Sequence, residues 1–395
     1  MIYRGFIYRL QPSHEQDQQF LKFAGVCRLV WNLALEQREK WWRQYQASTG
    51  DNLNYVTQAR QLKDLRAEFD FIREVSQTSE QRVLKDLDTA FRNFFAGRGG
   101  FPKMKRKGVN DAFSFVGREV TIQKLNAKWS KVRLPKIGWI KFRCTRPIAG
   151  DIREATVTRT ALGWQISLGC LIDSDIADVG GSVGVDRGIT APIAMSDGTM
   201  VVMPQSIARI DALHKRAQRI ASRRKRGSKR YAKAVKRAAR LKARQARIRK
   251  DWAHRTTTDI ARKYGTVVIE RLRTKDMSKS AKGTIEQPGK NVAQKRGLNR
   301  AILNVGWFQI EAMLNYKVFK LIKVNPAFSS QTCSVCRTVD KRSRKSQASF
   351  VCVACGHRDN ADTNAASVIL SRGNTAALDV KGSCTKHPVE ASTSF

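Results

Sequence analysis

Two pairs of cysteines constrain this chain more than any other feature of its sequence. Two residues separate Cys333 from Cys336, two separate Cys352 from Cys355, and fifteen lie between the pairs. Thiols spaced in this way indicate a closed tetrahedral zinc site, and the alternative is four free or disulfide-bonded cysteines. Because four protein ligands leave no open position on the metal, we predict one structural Zn²⁺ that joins two turns without a large core.

Three acidic residues stand where elements of secondary structure are expected to begin or end. Asp186 and Glu270 each end a short apolar run typical of a buried strand, and Asp362 opens a short amphipathic helix after the second cysteine pair. Taken singly, each acid has an ordinary interpretation as a turn former, a surface acid or a helix cap. Asp359 is an alternative to Asp362 as the third member of the set.

The charge of the chain points to a polyanionic partner. Its 395 residues carry a formal net charge of +41, far more than solubility requires. The sequence has no apolar run long enough to span a bilayer, and Ile2 to Leu10 alternates like a strand rather than a signal peptide. Nucleic acid is therefore favoured over a membrane. The remaining cysteines are scattered and predict buried thiols in a reducing, intracellular compartment, which we expect to be the cytoplasm: Cys27, Cys144, Cys170 and Cys384.

Two basic segments are candidates for contact with phosphates. Residues 207–264 predict a helical hairpin divided at Gly227, and no acid lies between Asp211 and Asp251. Unmixed positive charge at helical spacing destabilises an isolated helix, so a nucleic-acid backbone is the simplest partner. The glycine-rich loop 97–108 is either a solvated loop or a second phosphate contact. The candidate residues are Lys103, Lys105, Arg223, Arg224, Lys225, Arg226, Lys229 and Arg230.

The periodicity of apolar residues outlines the remaining architecture. Residues 13–95 have helical spacing, whereas 111–172 alternate with period two and predict a small antiparallel barrel completed by the first strand. Residues 298–317 predict one helix, with Trp307, Ile310 and Leu314 on one face. The polar stretch 274–297 predicts a mobile loop.

Read in order, these motifs resemble the TnpB family, transposon-encoded RNA-guided nucleases related to type V CRISPR effectors. The resemblance covers nearly the whole chain and is weakest after Arg372. Any single matching stretch is common, but the ordered series is specific. The stretches are Gly184-Val-Asp186-Arg-Gly188, Val268-Ile-Glu270, Val324-Asn-Pro326 leading to Ser330-Gln-Thr-Cys333, the two cysteine pairs, and Asp362-Thr-Asn364-Ala-Ala.

The resemblance implies an α/β multidomain fold: an RNase H-like (RuvC) nuclease domain with a cysteine zinc knuckle, and a small β-barrel wedge domain that carries a helical recognition insertion. The implied domains are a wedge-like barrel at 1–12 and 111–172, a helical recognition domain at 13–110, a RuvC-like nuclease domain at 182–325 and 358–372, a zinc-finger, target nucleic-acid-binding domain at 326–357, and a disordered tail at 373–395.

It also implies the activity: a transposon-encoded RNA-guided DNA endonuclease that hydrolyses phosphodiester bonds with two Mg²⁺ ions about 4 Å apart. Asp186 would bridge the ions, and Glu270 and Asp362 would each complete one of them. Gly184 and Gly188 would let the backbone approach the scissile phosphate. Arg187 stands where relatives commonly have an apolar residue and places a positive charge beside the site.

The implied partners are a transposon-derived guide RNA and double-stranded target DNA with a short flanking motif, with one protein monomer per guide RNA. Gln77, Thr78 and Gln81 would read that motif from a helix of the insertion. Two other readings stay open: a catalytically silent RNA-guided DNA-binding repressor, and a basic nuclease or resolvase without a guide.

Overall fold

The computed structural model describes residues 2–44, 53–109, 111–173 and 176–382, with side chains to residue 375. The chain divides into two compact units, Met1–Asp175 and Ile176–Phe395. Residues 383–395, and with them Cys384, lie outside the described residues. In the part of the chain that is described, no helix combines the length and apolar character that crossing a membrane requires.

The first unit contains a seven-stranded antiparallel sheet in the order β2-β6-β7-β1-β5-β4-β3. Strand β1 is shared between two halves, since Ile2–Arg9 pairs with β7 and Leu10–Gln11 pairs with β5. The alternation predicted for the first strand is confirmed, and Phe6, Tyr8 and Leu10 are buried. The strands are β1 Ile2–Gln11, β2 Ala112–Val116, β3 Thr121–Lys124, β4 Trp129–Leu134, β5 Gly138–Arg143, β6 Asp151–Thr160 and β7 Gly163–Ile172.

Helices of this unit pack on the sheet and share one hydrophobic core with it. The stripe predicted on the first helix is confirmed, because Phe20, Phe23 and Val30 are all buried. Asn54 caps the second helix, its side-chain oxygen accepting from the backbone N–H groups of Val56 and Thr57. The helices are α1 His14–Gln44, α2 Tyr55–Glu68, α3 Asp70–Arg73 and α4 Gln77–Phe95.

The second unit is built on a five-stranded sheet in the order β10-β9-β8-β11-β12. Strands β8, β11 and β12 are parallel, with Val185 opposite Ile269 and Glu270 opposite Val324. The centres of β8 and β11 are fully buried and apolar, as expected of parallel strands covered by helices, whereas the edge strand β12 is only partly buried. The strands are β8 Ser182–Asp186, β9 Ile193–Met195, β10 Met200–Val201, β11 Thr266–Glu270 and β12 Lys320–Val324.

The helices of the second unit differ from the sequence prediction at three places. The stretch 274–297, predicted to be a loop, contains the helix Thr274–Met277 and the start of the helix Val292–Val305. The single helix expected over 298–317 is two helices, because Gly306 adopts a left-handed conformation with φ of 77° between them. The last helix runs to Gly382, ten residues into the tail predicted to be disordered. The helices are α5 Ser206–Ser222, α6 Lys229–Lys263, α7 Thr274–Met277, α8 Val292–Val305, α9 Trp307–Asn315 and α10 Ala361–Gly382.

The cysteine pairs lie in a small module between β12 and α10. Strands β13 Ser349–Val351 and β14 Arg358–Asn360 form an antiparallel ribbon, and Phe350 is its central buried side chain. Strand β14 leads directly into α10, with which the module shares a small core. The module that holds the two cysteine pairs is therefore continuous with the helix that carries Asp362.

Candidate active site and metal centres

The three predicted acids converge at one edge of the second unit's sheet. Asp186 ends β8 and Glu270 ends β11, and these neighbouring strands are parallel. Parallel strands present their carboxyl ends at the same edge of a sheet, where open α/β folds place their sites. Asp362 lies in the first turn of α10, which packs against β8.

A glycine in β8 permits this close packing. A Cβ atom at Gly184 would lie 2.0 Å from the carbonyl oxygen of Ala366 and 2.7 Å from the backbone nitrogen of Leu370. The sequence interpretation of Gly184, close approach to a phosphate, is wrong in this structure because the backbone of α10 fills that space. Gly188 forms a turn, its N–H donating to the carbonyl of Ala191 over 3.2 Å.

Electrostatic coupling ties the acids together. Burial, together with the charges of Glu270 and Asp362, raises the pKa of Asp186 to about 7. Burial also raises the pKa of Asp362, against the lowering effect of the Arg344 guanidinium. Clustered carboxylates favour protons or cations because like charges held together out of water repel one another.

Two residues that sequence reasoning missed hold the acids in place. The hydroxyl of Ser329 donates to Oε1 of the buried Glu270 over 2.5 Å. Nη2 of Arg344 lies 3.3 Å from Oδ1 of Asp362. Both partners lie between β12 and α10, and no local periodicity could pair them with acids that are 59 and 18 residues away.

Asp359 occupies a different environment from Asp362. Its Oδ1 accepts from the neighbouring backbone N–H of Asn360 at 2.6 Å, and its Oδ2 lies 4.0 Å from Nε2 of His357. Asp359 is not among the charges that raise the pKa of Asp186, whereas Asp362 is. The geometry favours Asp362 as the third acid.

The hydrogen bonds of the Arg187 guanidinium go to groups other than the carboxylates of the three acids. This guanidinium is buried, lies 3.0 Å from Glu311 of α9 and donates to the backbone carbonyl of Glu270. Glu311 also pairs with Lys323 of β12 at 2.6 Å. Arg187 therefore connects α9 to the ends of β8 and β11, and Glu311 neutralises the charge of its guanidinium.

The four predicted cysteines form a cluster suited to zinc. Their sulfur atoms all lie within 4.8 Å of one another, with Cys333 and Cys355 at 3.7 Å and Cys336 and Cys352 at 3.5 Å. Zn–S bonds of about 2.3 Å give a tetrahedron with sulfur–sulfur edges of roughly 3.8 Å. None of the seven described cysteines is in a disulfide. The donor set and its spacing fit one zinc ion.

The acids are spaced more widely than these cysteines. Among the residues that the structure describes, the cysteine cluster is the only group of three or more metal-ligating side chains whose ligand atoms lie within 4.8 Å of one another. The acids as they stand therefore do not form a cage around one ion.

Asn364 joins the module of the two cysteine pairs to α10. This fully buried side chain accepts from the backbone N–H of Ser334 at 2.9 Å and donates to the carbonyl of Thr332 at 2.8 Å. Both backbone groups flank Cys333 on the turn that carries the first cysteine pair. The turn and the helix that carries Asp362 are thus fixed to each other by hydrogen bonds as well as by chain continuity.

The predicted readers of a DNA motif lie at the start of α4. Gln77 is exposed and Gln81 is half-buried. The hydroxyl of Thr78 donates to Glu119 over 2.7 Å. Gln77 is thus the most accessible of the three.

The predicted phosphate contacts differ in accessibility. Lys103 is exposed, whereas the Lys105 ammonium lies 3.8 Å from the centre of the Trp31 ring and burial lowers its pKa. The six basic residues at the tip of the α5–α6 hairpin are all exposed: Arg223, Arg224, Lys225, Arg226, Lys229 and Arg230.

Three family models match the chain. A model described as "Probable transposase" matches residues 174–281, and one described as "Cas12f1-like, TNB domain" matches 307–369. A model described as "Helix-turn-helix domain" matches 1–47. The described part of that last range is strand β1 followed by the single long helix α1.

Two relatives align along nearly their full length. The Escherichia coli (strain K12) protein "Putative RNA-guided DNA endonuclease InsQ" is 34% identical over 379 residues, which cover 94% of this chain and 92% of the relative. A Streptomyces pristinaespiralis protein, "Putative RNA-guided DNA endonuclease", is 30% identical over 388 residues, covering 95% and 90%.

A solved structure supports the fold assignment. The protein in "Cryo-EM structure of the Cas12f1-sgRNA-target DNA complex" is 16% identical and superposes with a TM-score of 0.56, covering 90% of this chain and 83% of that one. At this identity the match speaks for a similar α/β multidomain fold.

Proposed function

The chain belongs to the TnpB family, and from this premise we propose that it is an RNA-guided, Mg²⁺-dependent DNA endonuclease with a RuvC-like active site. The observation that carries the proposal is the convergence of Asp186, Glu270 and Asp362 from two parallel strands and a crossing helix. Relatives that are named RNA-guided DNA endonucleases supply the guide and the substrate class.

The chemistry of the carboxylates fits hard divalent cations. Mg²⁺ takes oxygen ligands and keeps several of its waters, so three spread carboxylates and solvent suffice for two ions. Asp186, Glu270 and Asp362 would hold these ions through their carboxylate oxygens. When bound, the ions supply a water nucleophile and stabilise charge on the attacking and leaving oxygens of the phosphodiester.

The surrounding residues orient this site. Ser329 fixes the carboxylate of Glu270 through its hydroxyl, and Arg344 partly offsets the charge of Asp362 before a cation arrives. Because Glu311 neutralises Arg187, its guanidinium does not compete with cations for the acids. Burial of Glu270 limits water around the site and so strengthens its interaction with a cation.

The zinc module has a structural part in the proposal. Cys333, Cys336, Cys352 and Cys355 would hold one Zn²⁺ and so fix the segment that carries Ser329 and Arg344. All four positions on the ion would be taken by sulfur, which leaves none for substrate.

The rest of the chain would bind the guide and the target. We assign 1–12 and 111–172 to a wedge-like barrel, 13–110 to recognition, 182–325 with 358–372 to the nuclease and 326–357 to target binding. Gln77, Thr78 and Gln81 would meet the flanking motif. The exposed basic hairpin tip and Lys103 would bind phosphates, whereas Lys105 would mainly pack on Trp31.

Three measurements, of co-purified RNA, of DNA binding and of DNA cleavage, test this proposal. First, RNA that co-purifies with the full-length protein is sequenced. Double-stranded DNA that contains the matching sequence next to a randomised flanking sequence is then incubated with the protein and Mg²⁺. We expect cleavage by the wild type, with binding but no cleavage by Asp186→Ala. Equal cleavage by Asp186→Ala would refute the site, absence of RNA would refute guidance, and binding without cleavage by the wild type would favour a silent repressor.

A further inference from the structure

Phe328 occupies a backbone conformation that a bulky residue rarely adopts. Its φ is +57°, in the left-handed region, and its side chain is 61% exposed. Four described non-glycine residues have positive φ, and Phe328 is the aromatic one among them. Such a conformation costs free energy, and strained residues of this kind cluster at functional sites.

The surrounding turn imposes this conformation. Arg372 of α10 donates to the carbonyls of Asn325 at 2.9 Å and Ala327 at 2.8 Å. The carbonyl of Phe328 accepts from the backbone N–H groups of Gln331 and Thr332, both at 3.0 Å, and from the Thr332 hydroxyl at 2.7 Å. Hydrogen bonds on both sides therefore hold the ring outward instead of letting it fold into the core.

Phe328 belongs to the turn that meets the edge of the sheet carrying the acids. Phe328 directly precedes Ser329, whose hydroxyl contacts Glu270 at 2.5 Å, and consecutive Cα atoms are about 3.8 Å apart. Arg372 beneath the turn and Arg344 at Asp362 add positive charge to this edge. An exposed aromatic face beside cations is the combination with which proteins bind single-stranded nucleic acid.

Packing does not explain the conformation, because a ring exposed by 61% gains little from burial. We propose that Phe328 is a stacking platform for one unpaired base of the strand being cut, next to the scissile phosphate. This inference rests on the proposed nuclease function. Stacking would fix the nucleotide against the carboxylates, and it would accept any base because every base has a π-face.

The direct test is fluorescence of 2-aminopurine placed singly at successive positions around the cut in the target strand. The full-length protein with its co-purified RNA is used in an Asp186→Ala background, which keeps the DNA intact. We expect one position to be quenched on binding, and Phe328→Ala to remove that quenching. Phe319→Ala is the matched control, since Phe319 is 56% exposed and precedes β12 at the opposite end of the strand.

Two further measurements separate stacking from a structural role. With Asp186 intact, single-turnover cleavage should slow about 5- to 100-fold in Phe328→Ala and recover in Phe328→Tyr. Phe328→Gly should slow cleavage in the same way while raising Tm, because glycine accepts positive φ without strain.

The outcomes distinguish the two levels of inference. Bound target whose quenching is unchanged in Phe328→Ala at every position would overturn the stacking role and leave the nuclease proposal standing. A fall in Tm that accounts for the slower cleavage of Phe328→Gly would likewise overturn it. Failure to bind any matched target would overturn both.

Discussion

At the scale of single residues, the carboxyl group of Asp186 has a strongly raised pKa. Burial and the charges of Glu270 and Asp362 raise its pKa to about 7 in the absence of metal. The unfolded chain releases this proton near pH 4, so the folded state binds more protons between those values. Stability that is present at low pH is therefore lost as pH rises through 7, unless a cation replaces the proton.

The expected pH dependence isolates this residue. In EDTA, Asp186→Asn should become more stable than the wild type as pH rises from about 4 to 7, by at most about 4 kcal/mol, and the difference should level off above 7. Thermal unfolding of the two proteins across this range measures it. Buried Glu80 also has a raised pKa, but it is present in both proteins and cancels. A difference that does not change with pH would contradict the coupling.

At the scale of elements, the site depends on how closely α10 approaches β8. Strand ends at Asp186 and Glu270 and the helix start near Asp362 were predicted from apolar runs and are confirmed. The contacts of Ser329 and Arg344 with the acids were not predictable, because they join residues remote in sequence. The conformation of Phe328 was not predictable either, because a phenylalanine rarely adopts positive φ. Gly306, in a left-handed conformation, divides the segment predicted as one helix into two, although the apolar face of that segment was predicted correctly.

Gly184→Ala tests the helix–strand contact. The added methyl would meet the backbone of Ala366 and Leu370, which cannot rotate away, so we expect a loss of about 1–3 kcal/mol and weaker divalent-ion binding. Gly297→Ala in α8 is the matched control. A Cβ atom added at Gly297 would meet no neighbouring atom within 4 Å, and alanine should raise helix stability. Equal stability of the Gly184→Ala protein and the wild type would argue against the contact.

Cys352→Ser tests whether the zinc module supports the acids. We expect loss of zinc, a lower Tm and weaker divalent-ion binding, because Ser329 and Arg344 lie on or beside the segment that the zinc turns anchor. Zinc content by mass spectrometry and thermal unfolding report the change. Cys144→Ser, at a scattered cysteine of the first unit, should leave zinc content unchanged. Full zinc occupancy in Cys352→Ser would refute the assignment.

At the scale of the whole molecule, positive charge dominates. The composition predicted a polyanion partner from a net charge of +41, and the structure keeps the hairpin tip exposed. The sequence could not show which basic residues are free: Lys105 was predicted to contact phosphate, yet it packs on Trp31. The net charge of a sequence indicates the class of partner, whereas tertiary packing decides which basic side chains are accessible to it.

Salt dependence tests the basic tip. Replacing Arg223, Arg224, Lys225 and Arg226 with glutamine should weaken RNA binding and lower the slope of log K against log salt by about 0.7 per lost phosphate contact. Lys40→Gln with Arg43→Gln is the matched control, because these charges already pair with Glu36 and Glu39. An unchanged slope in the hairpin variant would exclude the tip from the interface.

The most direct test of the account is the number of divalent ions that the acids hold. Titration of the zinc-loaded protein with Mn²⁺, followed by electron paramagnetic resonance, should find two sites in the wild type. Asp186→Asn should weaken binding by 10-fold or more, on the order of known effects at metal ligands and their supports, while Asp359→Asn should leave it unchanged. Mn²⁺ binding by Asp186→Asn equal to that of the wild type would contradict the central claim.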